Sequence, residues 1–175
     1  MDMDVQANEK KPFFTNYINQ VPTGNIIEIL EAQIEETLAA LQPLTEEQAK
    51  FKYAADKWSI KEVVGHLIDN ERVWSYRLLR IARGDNLVYP GYEQDQFVRE
   101  AQFDRIPYVD LLEEFKWIRK STAFMLKGLP AEAWQRQGVL NQDSLTVNQA
   151  AYVIAGHEIH HQNILRERYL PEINN

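Results

Sequence analysis

A chain of 175 residues with 45% hydrophobic and 26% charged side chains can bury one ordinary core and is too apolar to stay disordered. Its net charge of −7 argues against a nucleic-acid surface, because affinity for the phosphate backbone comes from Lys and Arg, and the cluster Arg72, Arg77, Arg80, Arg83 is interleaved with Asp69, Glu71 and Asp85. The absence of cysteine excludes a disulfide framework, a thiolate nucleophile and thiolate zinc sites, so any metal must be held by His and carboxylates.

Residues 1–24 read as an arm that ends in Pro22-Thr23-Gly24, with Phe13, Phe14, Tyr17 and Ile18 as an apolar patch for docking onto the body at residues 25–175. Met1 to Lys11 is polar and no stretch reaches the roughly 18 apolar residues of a membrane span, so the expected location is the cytoplasm, with no membrane partner. From Asn25 to Leu41, residues Ile26, Ile29, Leu30, Ile34, Leu38 and Leu41 keep the helical period, and Pro43 ends this first helix. The second opens on the capping box Ser59-Ile60-Lys61-Glu62 and runs through His66 and Trp74 to about Gly84. Residues 85–106 form a long connection with a short helical turn over Glu93–Glu100, and connections of this length are often functional. A third helix follows Pro107 and stops near Gly128-Leu129-Pro130; a fourth starts at the capping box Thr146-Val147-Asn148-Gln149 and continues to about Tyr169, before Pro171. No strand-period alternation is evident, so the expected architecture is all-α, a four-helix bundle.

All four histidines fall in two places. His157 and His161 are four residues apart and continue the stripe of Val147, Ala150, Ala151, Ile154, Ile164 and Leu165, which aims both imidazoles at the core. His66 stands at the edge of the apolar face made by Ile60, Val63, Val64, Leu67 and Trp74, where a facing helix can bring it to the same point. His160 is turned about 100° away from His161 and is expected to be exposed or outside the ligand set. A single buried histidine is most often a hydrogen-bonded core residue, but three imidazoles converging on one point also suit a divalent cation with open coordination positions. His157-Glu158-Ile159-His160-His161 satisfies the zinc-peptidase pattern H-E-x-x-H literally. That pattern takes a third ligand from beyond itself, and here only Glu172, after the helix-breaking Pro171, is available.

Lys57-Trp58-Ser59-Ile60-Lys61-Glu62-Val63-Val64-Gly65-His66-Leu67-Ile68-Asp69, followed by Gly156-His157-Glu158-Ile159-His160-His161, resembles the DinB-like superfamily, and within it the YfiT-type metal-dependent hydrolases and bacillithiol transferases. The resemblance spans roughly residues 25–170 and implies a four-helix bundle with a long crossover, with His66, His157 and His161 as ligands of nickel or zinc. It further implies a small-molecule substrate, a homodimer, and activities that include S-transfer from a low-molecular-weight thiol such as bacillithiol or mycothiol, isomerisation and hydrolysis. A non-catalytic metal-binding or dimeric scaffold of the same fold is the alternative.

Further candidates surround the predicted centre. Asp69 and Asn70 follow His66 by three and four residues and could orient an imidazole or contact substrate. Glu158 is a candidate hydrogen-bond acceptor behind the ligands or a candidate general base, although its 100° offset from His157 favours an outward or capping role. Tyr89, Pro90, Tyr92 and Glu93 of the long connection could wall the mouth of the site, whereas Trp58 and Trp74 read as core.

Overall fold

The computed structural model describes residues 12–173; the first eleven residues of the predicted arm lie outside them. The helices are α1 (Thr15–Ile18), α2 (Ile26–Leu41), α3 (Glu46–Ala49), α4 (Ile60–Ala82), α5 (Gln94–Ala101), α6 (Tyr108–Lys127), α7 (Val147–Ile164) and α8 (Leu170–Ile173), with a π-helical turn over Leu165–Tyr169 that joins α7 to α8. Local chemistry sets the starts. Asn25 accepts a hydrogen bond from the Ile27 amide, and Ser59 with Glu62 and Thr146 with Gln149 form complete capping boxes at α4 and α7. A third box, Thr45 with Gln48, opens the short α3 between the first two long helices. Pro171 sits inside α8 instead of beyond the last helix; the π-turn immediately before it shifts the hydrogen-bond ladder where Pro supplies no N–H.

The all-α four-helix bundle expected from the sequence is the observed fold, and three short strands accompany it. β1 (Val88–Tyr89) pairs parallel with β2 (Gln137–Leu140), which pairs antiparallel with β3 (Asp143–Thr146) through a turn whose Asn141 has φ +57°. Asn tolerates this left-handed conformation better than most residues. The sheet fastens the α4–α6 crossover to the segment that leads into α7.

The bundle is made by α2, α4, α6 and α7. Helix α4 packs mainly on α6 and α7, and α2 packs on the same two, so the consecutive long helices α2 and α4 are not main partners. This order places the His66 helix directly against the His157 helix. Two apolar cores occupy the ends of the bundle: one contains Leu30, Trp74, Leu78, Leu126 and Ile154, the other Leu38, Leu67, Leu111, Phe115 and Leu165. Between them lies a buried polar layer to which every long helix contributes: Gln33 and Thr37, Asn70 and Glu71, Arg119 and Thr122, Glu158 and Gln162. No helix among the described residues is long and apolar enough to cross a membrane.

Candidate metal centre

Two glycines bring the surroundings onto the histidines. A Cβ on Gly65 would lie 2.4 Å from the Phe103 ring, and one on Gly156 would lie 2.0 Å from the Tyr17 carbonyl oxygen. A glycine inside a helix costs about 1 kcal/mol relative to alanine, and here each position admits another segment of chain beside the next residue, His66 or His157. Tyr17 thereby sets its ring edge-on to His157, with centroids 5.4 Å apart, so part of the predicted arm closes over the site.

His66, His157 and His161 are all buried, and their ligand atoms lie within 4.8 Å of one another. Nε2 of His66 is 3.1 Å from Nε2 of His157. Two nitrogens about 2.0–2.1 Å from one ion, at a tetrahedral or right angle, would stand about 2.8–3.4 Å apart, so this spacing fits a shared cation. Trp58 covers the other side, its ring centroid 4.8 Å from that of His66 and 6.3 Å from that of His161.

Burial, with a smaller repulsion from His160, pushes the His66 pKa down to about 4; His157 and His161 are held well below the ordinary imidazole value, again chiefly by burial. All three are therefore neutral at pH 7, which is the state a metal requires of them. Three neutral nitrogens converging at this spacing are the donor set a divalent cation takes, so the residues present fit one.

A cavity of about 310 Å³ reaches His157 and is lined also by Asn70, Tyr92, Trp74, Arg77 and Tyr17. A second hollow of about 450 Å³ lies on the side of His160 and His161, against Trp58 and Tyr53. Asn70 and Tyr92 thus meet in the first cavity, where Asn70 Nδ2 donates to the Tyr92 hydroxyl at 2.8 Å. Three other candidates stand elsewhere. Asp69 pairs with Arg72 at 3.4 Å, Tyr89 is buried in the apolar core, and Glu93 is exposed at the start of α5. Trp58 and Trp74, read as core, line the two hollows.

Glu158 requires the largest correction. It is neither outward nor at a cap but 1% exposed, with Oε1 accepting from Thr37 Oγ1 at 2.5 Å and Oε2 from Arg119 Nη2 at 2.6 Å. Both oxygens are engaged by side chains of α2 and α6. Burial pushes its pKa up, against the pull of Arg119 and Thr37. Tyr17, expected only as part of the docking arm, and Arg77, expected only in the arginine cluster, also line the cavity at His157. The signal for Tyr17 was Gly156, a glycine in an otherwise strongly helical stretch; the signal for Arg77 was its spacing of three from Trp74 and seven from Asn70 on one helix face.

The DinB superfamily model matches residues 29–165. The chain belongs to the DinB superfamily. Among solved structures, this DinB protein is similar to YfiT from Bacillus subtilis, described as a probable metal-dependent hydrolase with an unusual four-helix bundle topology. The two share 16% identity and a TM-score of 0.69, with 90% of each chain covered. At that identity the likeness concerns the fold. No curated relative matches the sequence.

Proposed function

We propose that this DinB protein is a metal-dependent enzyme in which His66, His157 and His161 hold a divalent cation, nickel or zinc, and that it transfers a low-molecular-weight thiol of the bacillithiol type to a small electrophile. The observation that carries this reading is the convergence of three buried, neutral imidazoles beside an open cavity. A cation held by three uncharged ligands keeps its full charge and lowers the pKa of a water or thiol that binds it. The chain has no cysteine, so the sulfur comes from a cosubstrate. Asn70 and Tyr92 position the molecule in the first cavity, and Tyr17 and Trp58 restrict water at the imidazoles.

Hydrolysis is the second reading, supported by the description of YfiT. Two hollows, one reaching His157 and the other His161, favour a reaction with two organic reactants over one with a single substrate and water. A non-catalytic scaffold has less support, because the cavity at His157 is open and not filled by side chains. The outer face of α6, where Val109, Trp117 and Phe124 are 64%, 60% and 72% exposed, supports the homodimer reading as an apolar contact surface.

The test is an assay of the metal-loaded protein with bacillithiol, glutathione and coenzyme A against a model electrophile, beside an ester substrate. Transfer from at least one thiol, abolished by His157→Ala, is expected. Ester hydrolysis with no thiol transfer would replace this reading by the hydrolase.

A further inference from the structure

Arg77 lines the cavity at His157, is 7% exposed, and has no carboxylate partner among the described residues. Its one hydrogen bond runs from Nη2 to the Pro90 carbonyl at 2.6 Å, and its guanidinium lies 5.1 Å from the centre of the Trp74 ring, which covers one face and leaves other N–H groups unspent. Contrast Arg119, the other buried arginine, which is held by two carboxylates. A buried cation with no counter-charge is costly, and burial does lower the Arg77 pKa. Two further donors converge on the same cavity. The Tyr92 hydroxyl accepts from Asn70 and so keeps its hydrogen to give, and Asn141, whose Oδ1 accepts from the Gly91 amide at 3.1 Å, keeps its NH2 group at the exposed rim.

We propose that Arg77, the Tyr92 hydroxyl and the Asn141 amide form a carboxylate-binding subsite, which holds the acidic end of the molecule whose reacting end meets His66, His157 and His161. The second half of this statement rests on the enzyme reading above; the subsite itself does not. One planar guanidinium with two neutral donors matches the single charge of a carboxylate better than the double charge of a phosphate, in a protein of net charge −7. His66, Asn70, Trp74 and Arg77 follow one face of α4. Eleven positions separate His66 from Arg77, roughly 16 Å along the helix axis, and an arginine leaning back toward the N-terminus brings its charge to within on the order of 10 Å of the triad. The subsite therefore selects molecules with an acid group about that far from the reacting atom.

The test is an NMR titration of the full chain with hexanoate, its neutral isostere hexanamide, and inorganic phosphate, run on protein as purified and after chelator treatment. Hexanoate is expected to bind in both preparations and better than the other two. Arg77→Gln should weaken it by about tenfold or more, the scale of a charge-assisted hydrogen-bond pair, and leave hexanamide unchanged. Asn141→Asp, at an exposed position where Asp also accepts the left-handed backbone, adds a repelling charge without touching the core, and should weaken hexanoate several-fold. Equal binding of acid and amide, preference for phosphate, loss of hexanoate binding on chelation, or indifference to both substitutions would each overturn the subsite. Metal analysis of the same samples addresses the triad separately: no metal with hexanoate binding intact would remove the enzyme reading and leave the subsite standing.

Discussion

Arg119 on α6 gives Nη2 to Glu158 Oε2 at 2.6 Å while its Nε and Nη2 grip Glu71 of α4 at 2.9 Å and its Nη1 reaches the Leu30 carbonyl of α2, also at 2.9 Å. One guanidinium thus ties all four long helices together directly beside the histidine pair of α7. Removing it strands two buried carboxylates, so Arg119→Met is expected to cost about 3–5 kcal/mol in urea denaturation, as for other broken buried ion pairs. Glu158→Gln leaves the Arg119–Glu71 pair in place and should cost less, on the order of 1–2 kcal/mol, while metal content stays unchanged. A loss below about 1 kcal/mol for Arg119→Met would refute the role given to this cluster.

Metal binding should depend on three of the four histidines. His66→Ala, His157→Ala and His161→Ala are each expected to abolish stoichiometric nickel or zinc, measured by elemental analysis after dialysis, whereas His160→Ala retains it. Saturating metal at about a hundredfold excess over its dissociation constant stabilises the folded chain by about 2.7 kcal/mol, so chelation should lower the melting temperature of the wild type and leave that of His157→Ala unmoved. Metal retained by all three alanine variants would dismiss the triad.

How much of this was legible from the residues alone differs by layer. The helices announced themselves because their caps and their 3.6-residue stripes are local signals: Ser59 with Glu62 and Thr146 with Gln149 behave as the sequence indicates. The strands did not, since runs of two to four residues are too short for a period-two pattern to show. Glu158 was misplaced for a physical reason. An offset of 100° from the core stripe means solvent only when a helix has one buried face, and α7 is buried at every position from Val153 to Glu158. Its partner Arg119 left a trace, four residues after buried Phe115 and three before buried Thr122, where a solvated arginine is out of place. The meeting of His66 with His157 depends on α4 packing against α7, a fact of topology that the two-site family pattern conveys and local periodicity cannot.

Acid should destabilise the chelator-treated protein in a definite window. The folded-state pKa of His66, about 4, lies below the ordinary value of 6.5, so between these the unfolded chain binds more protons. Stability is then fully present above about pH 6.5 and falls as pH drops toward 4, by up to roughly 3 kcal/mol from His66 alone. His157 and His161 are shifted in the same direction and add to the loss; Glu158, shifted up, opposes it. Urea unfolding at intervals from pH 7 to 5 reads the slope, and His66→Gln should flatten it. A wild-type stability independent of pH across that interval would contradict the burial of neutral imidazoles.

Gly156 offers a test of the arm as a cover for the site. Alanine at an interior helical position ordinarily gains about 1 kcal/mol over glycine through the lost freedom of the unfolded chain. Here the added methyl would sit 2.0 Å from the Tyr17 carbonyl oxygen and 2.4 Å from its carbon, which is backbone and cannot rotate away. Overpacking of this kind costs about 1–3 kcal/mol, so the clash outweighs the propensity gain and the cheapest relief is for α1 to lift from α7. Gly156→Ala is therefore expected to leave the bundle folded by circular dichroism, to expose the chain around Tyr17 to limited proteolysis, and to speed metal exchange at His157, which Tyr17 otherwise covers edge-on. A variant more stable than wild type, with the arm still protected, would show that Tyr17 does not hold this position in solution.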